Sequence, residues 1–217
     1  MEAHTHVTHA TVDPDAVLPA TRAVVLNGAL PGDESLAPVE EKLVELLRET
    51  GAGVRDFQLR DIPLAHCQGC FECWLETPGL CKTDGDAGRE ITGALIGSDL
   101  MVLLTPVTFG GYSSEIKKAM DRSICMVSPF FRRVDGEVHH KLRYRRYPAL
   151  AAVGVLHEPD EEQERIFRTL VERNALNFDS PVTAACVLPA GAPSAGVRDR
   201  LAAGLEPVLG HLAGRVA

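Results

Sequence analysis

Four of the six cysteines in this chain of 217 residues lie in one short segment, CQGCFECWLETPGLC. Cys67, Cys70 and Cys73 follow a C-x2-C-x2-C spacing, and Cys81 completes the segment. A disulfide framework, a structural zinc site and an iron–sulfur cluster could each explain such crowding. Ferredoxin-type clusters use a similarly compact run of thiolate ligands, whereas structural zinc sites more often combine two pairs across a longer spacer.

The expected compartment separates these explanations in part. The first 20 residues have neither the basic region nor the apolar region of a signal peptide. We therefore expect a cytoplasmic location, where thiols stay reduced, and this counts against disulfides. Because four thiols cluster while Cys125 and Cys186 stand alone, chance is a poor explanation of the array. The spacing of the four favours an iron–sulfur site over zinc. A metal-free array of structural thiols remains open.

A second segment with chemical potential is TPVTFGGYSSEIKKAMDR, in which Phe109 and Tyr112 flank Gly110 and Gly111. Glycines let the main chain approach a ligand closely. Backbone amides can bond the edge of a planar heteroaromatic such as an isoalloxazine, and aromatic side chains can cover its face. A glycine turn beside core aromatics is the alternative.

A third segment, NGALPGDESLAP, leads into a predicted helix, where free N–H groups and the positive end of the helix dipole suit a phosphate. Gly28 and Gly32 allow tight turns, and Ser35 offers a hydroxyl. The segment contains neither the Walker pattern nor the GxGxxG fingerprint, which argues against an ATPase or a dinucleotide fold. An ordinary connecting loop explains it equally well.

Hydrophobic patterning supplies the elements that position these segments. Five apolar runs predict strands, at 23–27, 54–59, 99–105, 149–156 and 182–189, and they alternate with predicted helices at 38–51, 89–97, 113–127, 159–178 and 196–214. Such alternation predicts an α/β fold with a five-stranded parallel sheet, for which the order 2-1-3-4-5 is the commonest. Ligands should then bind beyond the carboxyl ends of the strands, at the loops after Asn27, Thr105 and Leu156.

Composition excludes several function classes. The net charge of −8 gives no reason to expect nucleic acid or an anionic membrane as a partner, and no stretch reaches the roughly 18 apolar residues of a membrane span. No nucleophile triad, HExxH motif or pair of carboxylates supports hydrolysis.

The chain resembles the NAD(P)H-dependent FMN reductases of the flavodoxin-like group and, within them, the iron–sulfur flavoproteins. The matching pieces are the strand leading into NGALPGDES, the segment CQGCFECWLETPGLCKTDGD and the segment SDLMVLLTPVTFGGYSSEIKKAMDR. This resemblance implies a flavodoxin-like three-layer sandwich. It also implies FMN as cofactor, NAD(P)H or a ferredoxin-like protein as electron donor, a small-molecule acceptor, and a homodimer or homotetramer.

By the same resemblance, FMN phosphate would lie against the first loop and the flavin ring against the loop after the third strand, with Leu156 and His157 closing the far side. The implied cofactor contacts are Gly28, Ala29, Ser35, Pro106, Val107, Thr108, Phe109, Gly110, Gly111 and Tyr112. Cys67, Cys70, Cys73 and Cys81 would hold a 4Fe-4S cluster, and Tyr112 and His157 are candidate proton donors. This chain departs from the family pattern in the phosphate loop, where Ala29, Leu30 and Pro31 follow Gly28 in place of the usual GSPR, and at Thr108, where tyrosine is frequent.

The predicted organisation is a flexible arm at 1–20 and a single domain at 21–217, with a cysteine-rich insert at 64–86 and a basic hairpin insert at 129–148. The hairpin would cover the flavin, meet a second subunit, attract a nicotinamide phosphate, or simply be solvated. Two alternatives to a cluster-containing reductase remain: a reductase of FMN or quinones without a cluster, and a non-enzymatic electron carrier like flavodoxin.

Overall fold

The computed structural model describes residues 22–216, so the predicted arm at 1–20 lies outside the described residues. Seven strands follow in chain order: β1 (Arg22–Asn27), β2 (Gly53–Gln58), β3 (Leu100–Pro106), β4 (Val127–Val134), β5 (Glu137–Leu142), β6 (Ala149–Leu156) and β7 (Thr183–Pro189). Five of them form a parallel sheet in the order β2-β1-β3-β6-β7. Counting sheet strands alone, this is the predicted order 2-1-3-4-5.

Seven helices complete the fold: α1 (Ala37–Glu49), α2 (Glu72–Leu75), α3 (Gly88–Ile96), α4 (Ser114–Arg122), α5 (Glu161–Asn177), α6 (Ser194–Gly204) and α7 (Glu206–Val216). Because side chains alternate across a strand, Val25 packs in one core with α1, α6 and α7. Leu26 packs in a second core, on the opposite face, with α3, α4 and α5. The result is the predicted three-layer arrangement.

Two predicted helices end differently in the structure. The helix predicted at 113–127 stops at Arg122, and a 3-10 turn, Ser123–Met126, leads into β4. Pro129 lies within β4, where its fixed φ is compatible with an extended backbone but not with a longer helix through this position. The helix predicted at 196–214 is two helices, because Pro207 is compatible with the first turn of α7 but not with an uninterrupted helix.

Strands β4 and β5 form an antiparallel hairpin that begins two residues before the predicted basic segment at 129–148 and ends inside it. Asp135 and Gly136 both have positive φ, 48° and 87°, as a two-residue type I′ turn requires. Paired charges fasten the hairpin to the end of α5: Arg132 lies 2.6 Å from Asp179, and Glu137 accepts from Arg173. The hairpin is therefore held against the main domain at its far end. No helix within residues 22–216 is both long and apolar enough to cross a membrane.

Candidate functional site

Three loops leave the carboxyl edge of the sheet side by side, after β1, β3 and β6. The loops after β1 and β3 each begin with a backbone hydrogen bond to a neighbouring strand. Gly28 N–H donates to Leu104 O at 2.7 Å, and Val107 N–H donates to Val155 O at 2.9 Å. These bonds extend the order of the sheet into the loops, which suits a site that must hold a ligand in one orientation.

The loop after β3 forms a tight turn that presents an aromatic ring. Thr108 and Gly111 exchange two backbone hydrogen bonds, of 2.9 and 3.2 Å, around Phe109 and Gly110. Phe109 has a φ of 51°, which is strained for an aromatic residue, and its side chain is 92% exposed. Strain of this kind concentrates where a side chain serves a ligand.

The first turn of α5 packs against the loop at 108–111 and bonds to it. Gly110 N–H donates to Gln163 Oε1 at 3.2 Å, and Gln163 Nε2 donates to Asp160 Oδ2 at 2.9 Å. Gly110 also packs closely on α5, since a Cβ at this position would lie 2.5 Å from Cγ2 of Ile166. The sequence analysis did not identify Gln163. Only the adjacency of β3 and β6, which places the start of α5 beside the β3 loop, could have suggested it.

Tyr112 turns away from the tip of this loop. Its hydroxyl accepts a hydrogen bond from Asn174 Nδ2 at 3.0 Å, and its ring meets Phe167 edge-on, with centroids 5.6 Å apart. Burial raises the pKa of Tyr112 to about 12, so the phenol keeps its proton at neutral pH. Tyr112 lines a cavity of about 610 Å³ between α4, α5 and the hairpin.

The same loop fixes the start of α4. Ser113 caps the helix, since its Oγ accepts from Ile116 N–H at 3.4 Å. Ser113 N–H in turn donates to Thr105 Oγ1 at 2.9 Å. Gly28 packs against this junction, where a Cβ would lie 2.6 Å from Ser113 Oγ. The glycine is thus required for packing between the first loop and α4.

In the first loop, the donors predicted for phosphate are partly committed within the protein. Gly28 N–H bonds Leu104 O, and Ala29 N–H bonds Asn27 Oδ1 at 2.9 Å. Ser35 N–H bonds Asp33 Oδ1 at 2.9 Å, which leaves the half-buried Ser35 hydroxyl on the loop.

A cation that the sequence analysis missed reaches this loop. Arg60, which follows β2, donates to Asp33 O at 2.8 Å and lies 3.2 Å from Glu34. The signal for it was the strand order: β2 runs parallel to β1, so a residue just beyond Gln58 must lie beside the loop after Asn27.

The loop after β6 places its two predicted residues in different surroundings. Leu156 is buried at the end of the strand, and His157 is exposed beyond it. His157 therefore stands at the same edge of the sheet as Phe109, whereas the Tyr112 hydroxyl is bonded to Asn174 within the α4–α5 groove. The two candidate proton donors thus occupy separate positions.

The four clustered cysteines line one cavity of about 230 Å³, together with Trp74, Met120 and Arg122. Gly69 and Phe71 have positive φ values, 64° and 60°, so the backbone turns sharply between the cysteines. Burial, with neighbouring thiols, raises the pKa of Cys73 to about 11. Within residues 22–216, no group of three or more potential ligands has a placement that could hold a metal ion. The structure thus gathers the predicted ligands around one space without arranging them as a metal site.

Comparison with known families agrees with this architecture. The profile of the family described as NADPH-dependent FMN reductase matches residues 21–184. Because this match covers well over half of the chain, the protein belongs to the NADPH-dependent FMN reductase family. It is a flavin-dependent oxidoreductase of the NAD(P)H reductase type. No curated protein sequence matches the chain.

Solved structures show the same fold at low sequence identity. RosB, solved with bound 8-demethyl-8-formylriboflavin-5'-phosphate, has a TM-score of 0.62 and 14% identity over 89% of this chain and 79% of its own. An FMN-dependent NADH-azoreductase from Bacillus anthracis str. Ames Ancestor, in complex with FMN, has a TM-score of 0.60 and 13% identity. The match covers 89% of this chain and 100% of the azoreductase. An NAD(P)H:quinone oxidoreductase from Methanothermobacter marburgensis has a TM-score of 0.62 and 12% identity. The match covers 86% of this chain and 96% of the oxidoreductase. The predicted flavodoxin-like fold is confirmed.

Proposed function

We propose that the protein holds FMN at the carboxyl edge of its sheet and transfers electrons from NAD(P)H to a small-molecule acceptor. The observation that carries this proposal is the strained turn at 108–111, which presents the exposed ring of Phe109 at the carboxyl edge of the sheet. A flat heteroaromatic ring is the ligand that such a turn suits. The azoreductase from Bacillus anthracis, which shares the fold, was solved with FMN.

At this edge Phe109 supplies a face for the flavin ring. The N–H groups of Val107, Thr108, Gly110 and Gly111 are bonded within the protein, and these bonds hold the turn that presents this face. The amides of Gly28 and Ala29 are already bonded internally. We therefore assign the phosphate to the Ser35 hydroxyl, the start of α1 and the guanidinium of Arg60.

Bound FMN would supply the redox chemistry, and the chain supplies position and protons. His157, exposed at the edge, is placed to exchange protons with solvent near the ring. Tyr112, with its raised pKa, stays a hydrogen-bond donor and acceptor in the α4–α5 groove at all moderate pH values. We assign His157 as the proton donor and Tyr112 as a groove-lining residue.

For the cysteine cavity we propose a 4Fe-4S cluster on Cys67, Cys70, Cys73 and Cys81. Four thiols around one space are the donor set that such a cluster needs. Helix α4 links the two proposed centres, since it starts at the Ser113 cap beside the flavin loop and ends at Arg122 beside the thiols. Nine residues make a helix about 14 Å long. A ferredoxin-like donor could then deliver electrons at the cysteine end.

A reductase of the same kind without a cluster is the second candidate. Metal ligation requires thiolates, and the raised pKa of Cys73 opposes ionisation of one of the four. We also propose a cytoplasmic location and assembly as a homodimer or homotetramer, in which the exposed aromatic side chains of the hairpin, Phe130 and Phe131, would be covered.

The first test is binding of FMN to the flavin-free protein, detected by quenching of flavin fluorescence. The second is the rate of NADPH oxidation in the presence of a quinone. Phe109→Ala should weaken FMN binding roughly tenfold, or about 1.4 kcal/mol, because it removes the stacking face. Val138→Ala, at a 59% exposed hairpin position outside the three loops, is the control. Wild-type protein that takes up no FMN would refute the proposal. Iron and sulfide analysis after anaerobic purification decides between the two candidates.

A further inference from the structure

A cavity of about 610 Å³ lies between α4, α5 and the hairpin, and Gly111 and Tyr112 connect it to the loop after β3. Its volume is within the range of about 300–1,000 Å³ that is typical of sites for small molecules. Phe109 and His157, which we assigned to the flavin, do not line it. The cavity is therefore a separate space that adjoins the proposed flavin site.

Each of the two helices gives this cavity an apolar wall. Met120 and Ile124 line it from α4 and the 3-10 turn that follows, and Leu170 and Phe178 line it from α5 and the residue that ends this helix. Within each pair the residues are separated by whole helical turns of roughly four residues, so they face the same side. Aromatic rings and the methionine thioether make favourable contacts with aromatic ligands. These walls therefore suit a flat aromatic compound.

The hairpin gives the third wall, which includes the ring of His140. Nδ1 of His140 lies 2.8 Å from the carbonyl oxygen of Ser128, so Nδ1 carries a proton and the ring is fixed in orientation. Trp74, the single tryptophan of the chain, packs against this ring with centroids 5.0 Å apart. The indole N–H of Trp74 donates to Val127 O at 3.0 Å. The fluorescence of Trp74 can therefore report whether the cavity is occupied.

The cavity also offers a hydrogen-bond donor to a ligand. The half-buried hydroxyl of Tyr112 accepts from Asn174 Nδ2 at 3.0 Å, but among residues 22–216 no acceptor takes the proton of this hydroxyl. Burial raises the pKa of Tyr112 to about 12, which keeps the proton in place. Lys117 and Asp121, by contrast, are exposed and paired with each other. Because tyrosine hydroxyls usually find a partner when they are removed from water, an oxygen acceptor on a ligand would complete this group.

We propose that this cavity binds a fused-ring aromatic compound that bears a carbonyl oxygen. The oxygen accepts the hydroxyl proton of Tyr112, and the rings lie between the apolar walls of α4 and α5. Asn174 is a positioning residue, because its amide donates to the Tyr112 oxygen. Apolar walls with a few well-placed polar groups are the usual composition of a small-molecule site. The inference goes beyond the proposed function, since it requires neither bound FMN nor the cysteines.

Quenching of Trp74 fluorescence in the flavin-free protein tests the site. The probe is anthraquinone-2-sulfonate, whose rings thiols do not attack. The matched probe is anthracene-2-sulfonate, which has the same fused rings without carbonyl oxygens. Wild type should bind anthraquinone-2-sulfonate saturably. Tyr112→Phe should bind it about threefold to tenfold more weakly, which is the usual effect of losing one hydrogen bond, and should bind anthracene-2-sulfonate as wild type does.

Two further variants control this experiment. Tyr144→Phe makes the same change at a half-buried tyrosine outside the cavity and should bind both probes as wild type does. Leu170→Phe fills part of the cavity and should weaken binding of both probes. FMN binding is measured on every variant, so failure of the proposed function is recognised separately from failure of this site.

Several results would overturn the proposal. One is a wild-type protein whose fluorescence shows no saturable quenching by anthraquinone-2-sulfonate. Another is a Tyr112→Phe variant in which the affinities for the two probes change equally or not at all. Calorimetry repeats the titration on protein saturated with FMN, where loss of probe binding would assign the cavity to the flavin itself. Loss of probe binding as the chain self-associates at high concentration would assign the cavity to a second copy instead.

Discussion

Gly110 allows a sharp test of how the flavin loop is held. The residue has a φ of 73°, and a Cβ there would lie 2.5 Å from Cγ2 and 2.6 Å from Cβ of Ile166. Gly110→Ala therefore combines two penalties: strain of an alanine in the left-handed region, about 1–2 kcal/mol, and overpacking against α5, about 1–3 kcal/mol. Gly136, at the hairpin turn, has a φ of 87° with nothing within 4 Å. Gly136→Ala carries the first penalty alone.

The free energy of unfolding in urea should thus fall by about 1–3 kcal/mol more in Gly110→Ala than in Gly136→Ala. The difference corresponds to roughly 2–4 °C in melting temperature per kcal/mol for a chain of this size. Gly110→Ala should also weaken FMN binding, because Phe109 must move with the turn, whereas Gly136→Ala should not. Equal losses of stability in the two variants would show that α5 does not support the turn.

Three further predictions address other contacts. Arg60→Met should weaken binding of FMN several-fold and leave that of riboflavin unchanged, since only FMN carries the phosphate; equal loss for both would contradict our assignment of Arg60. Burial works to raise the pKa of Asp86, but hydrogen bonds from Arg122, Ala65 and Gly88 lower it from 3.8 to about 2. About 2 kcal/mol of stability should therefore be lost as the pH falls from about 5 to about 1, and this loss should be absent in Asp86→Asn. Gly210→Ala, in open space on α7, should stabilise by about 0.5–1 kcal/mol in thermal unfolding, whereas Gly204→Ala, 2.9 Å from the Cys186 sulfur, should destabilise.

The sheet was predictable because its signal is local. Each strand is an apolar run such as DLMVLLT, and side chains of β3 are buried on both faces of the sheet. Runs of this kind between helices leave few topologies. The strand order then placed the three loops at one edge before any side chain was known. The turn at Asp135-Gly136 was equally predictable, because the residue types at these two positions determine its backbone conformation.

The contacts that organise the site have no local sequence signal, because they join distant parts of the chain, and only the strand order could indicate them. Arg60 reaches Asp33, Gln163 reaches Gly110, and Arg122 reaches Ala65, 27, 53 and 57 residues away respectively. An arginine in an amphipathic helix pattern is ordinarily a surface residue, and nothing local marked Arg122 as buried. The sequence also did not predict that the amides of Gly28 and Ala29 are bonded internally, since their acceptors, Leu104 O and Asn27 Oδ1, take their positions from the packed sheet.

The two ends of α4 contact different loops. Arg122, its last residue, places its guanidinium where the cysteine segment closes on Asp86. The other end of the same helix is fixed to Thr105 through Ser113. A displacement at either loop must therefore move a rigid element that the other loop also contacts, so substitutions at one proposed centre should be examined for effects at the other.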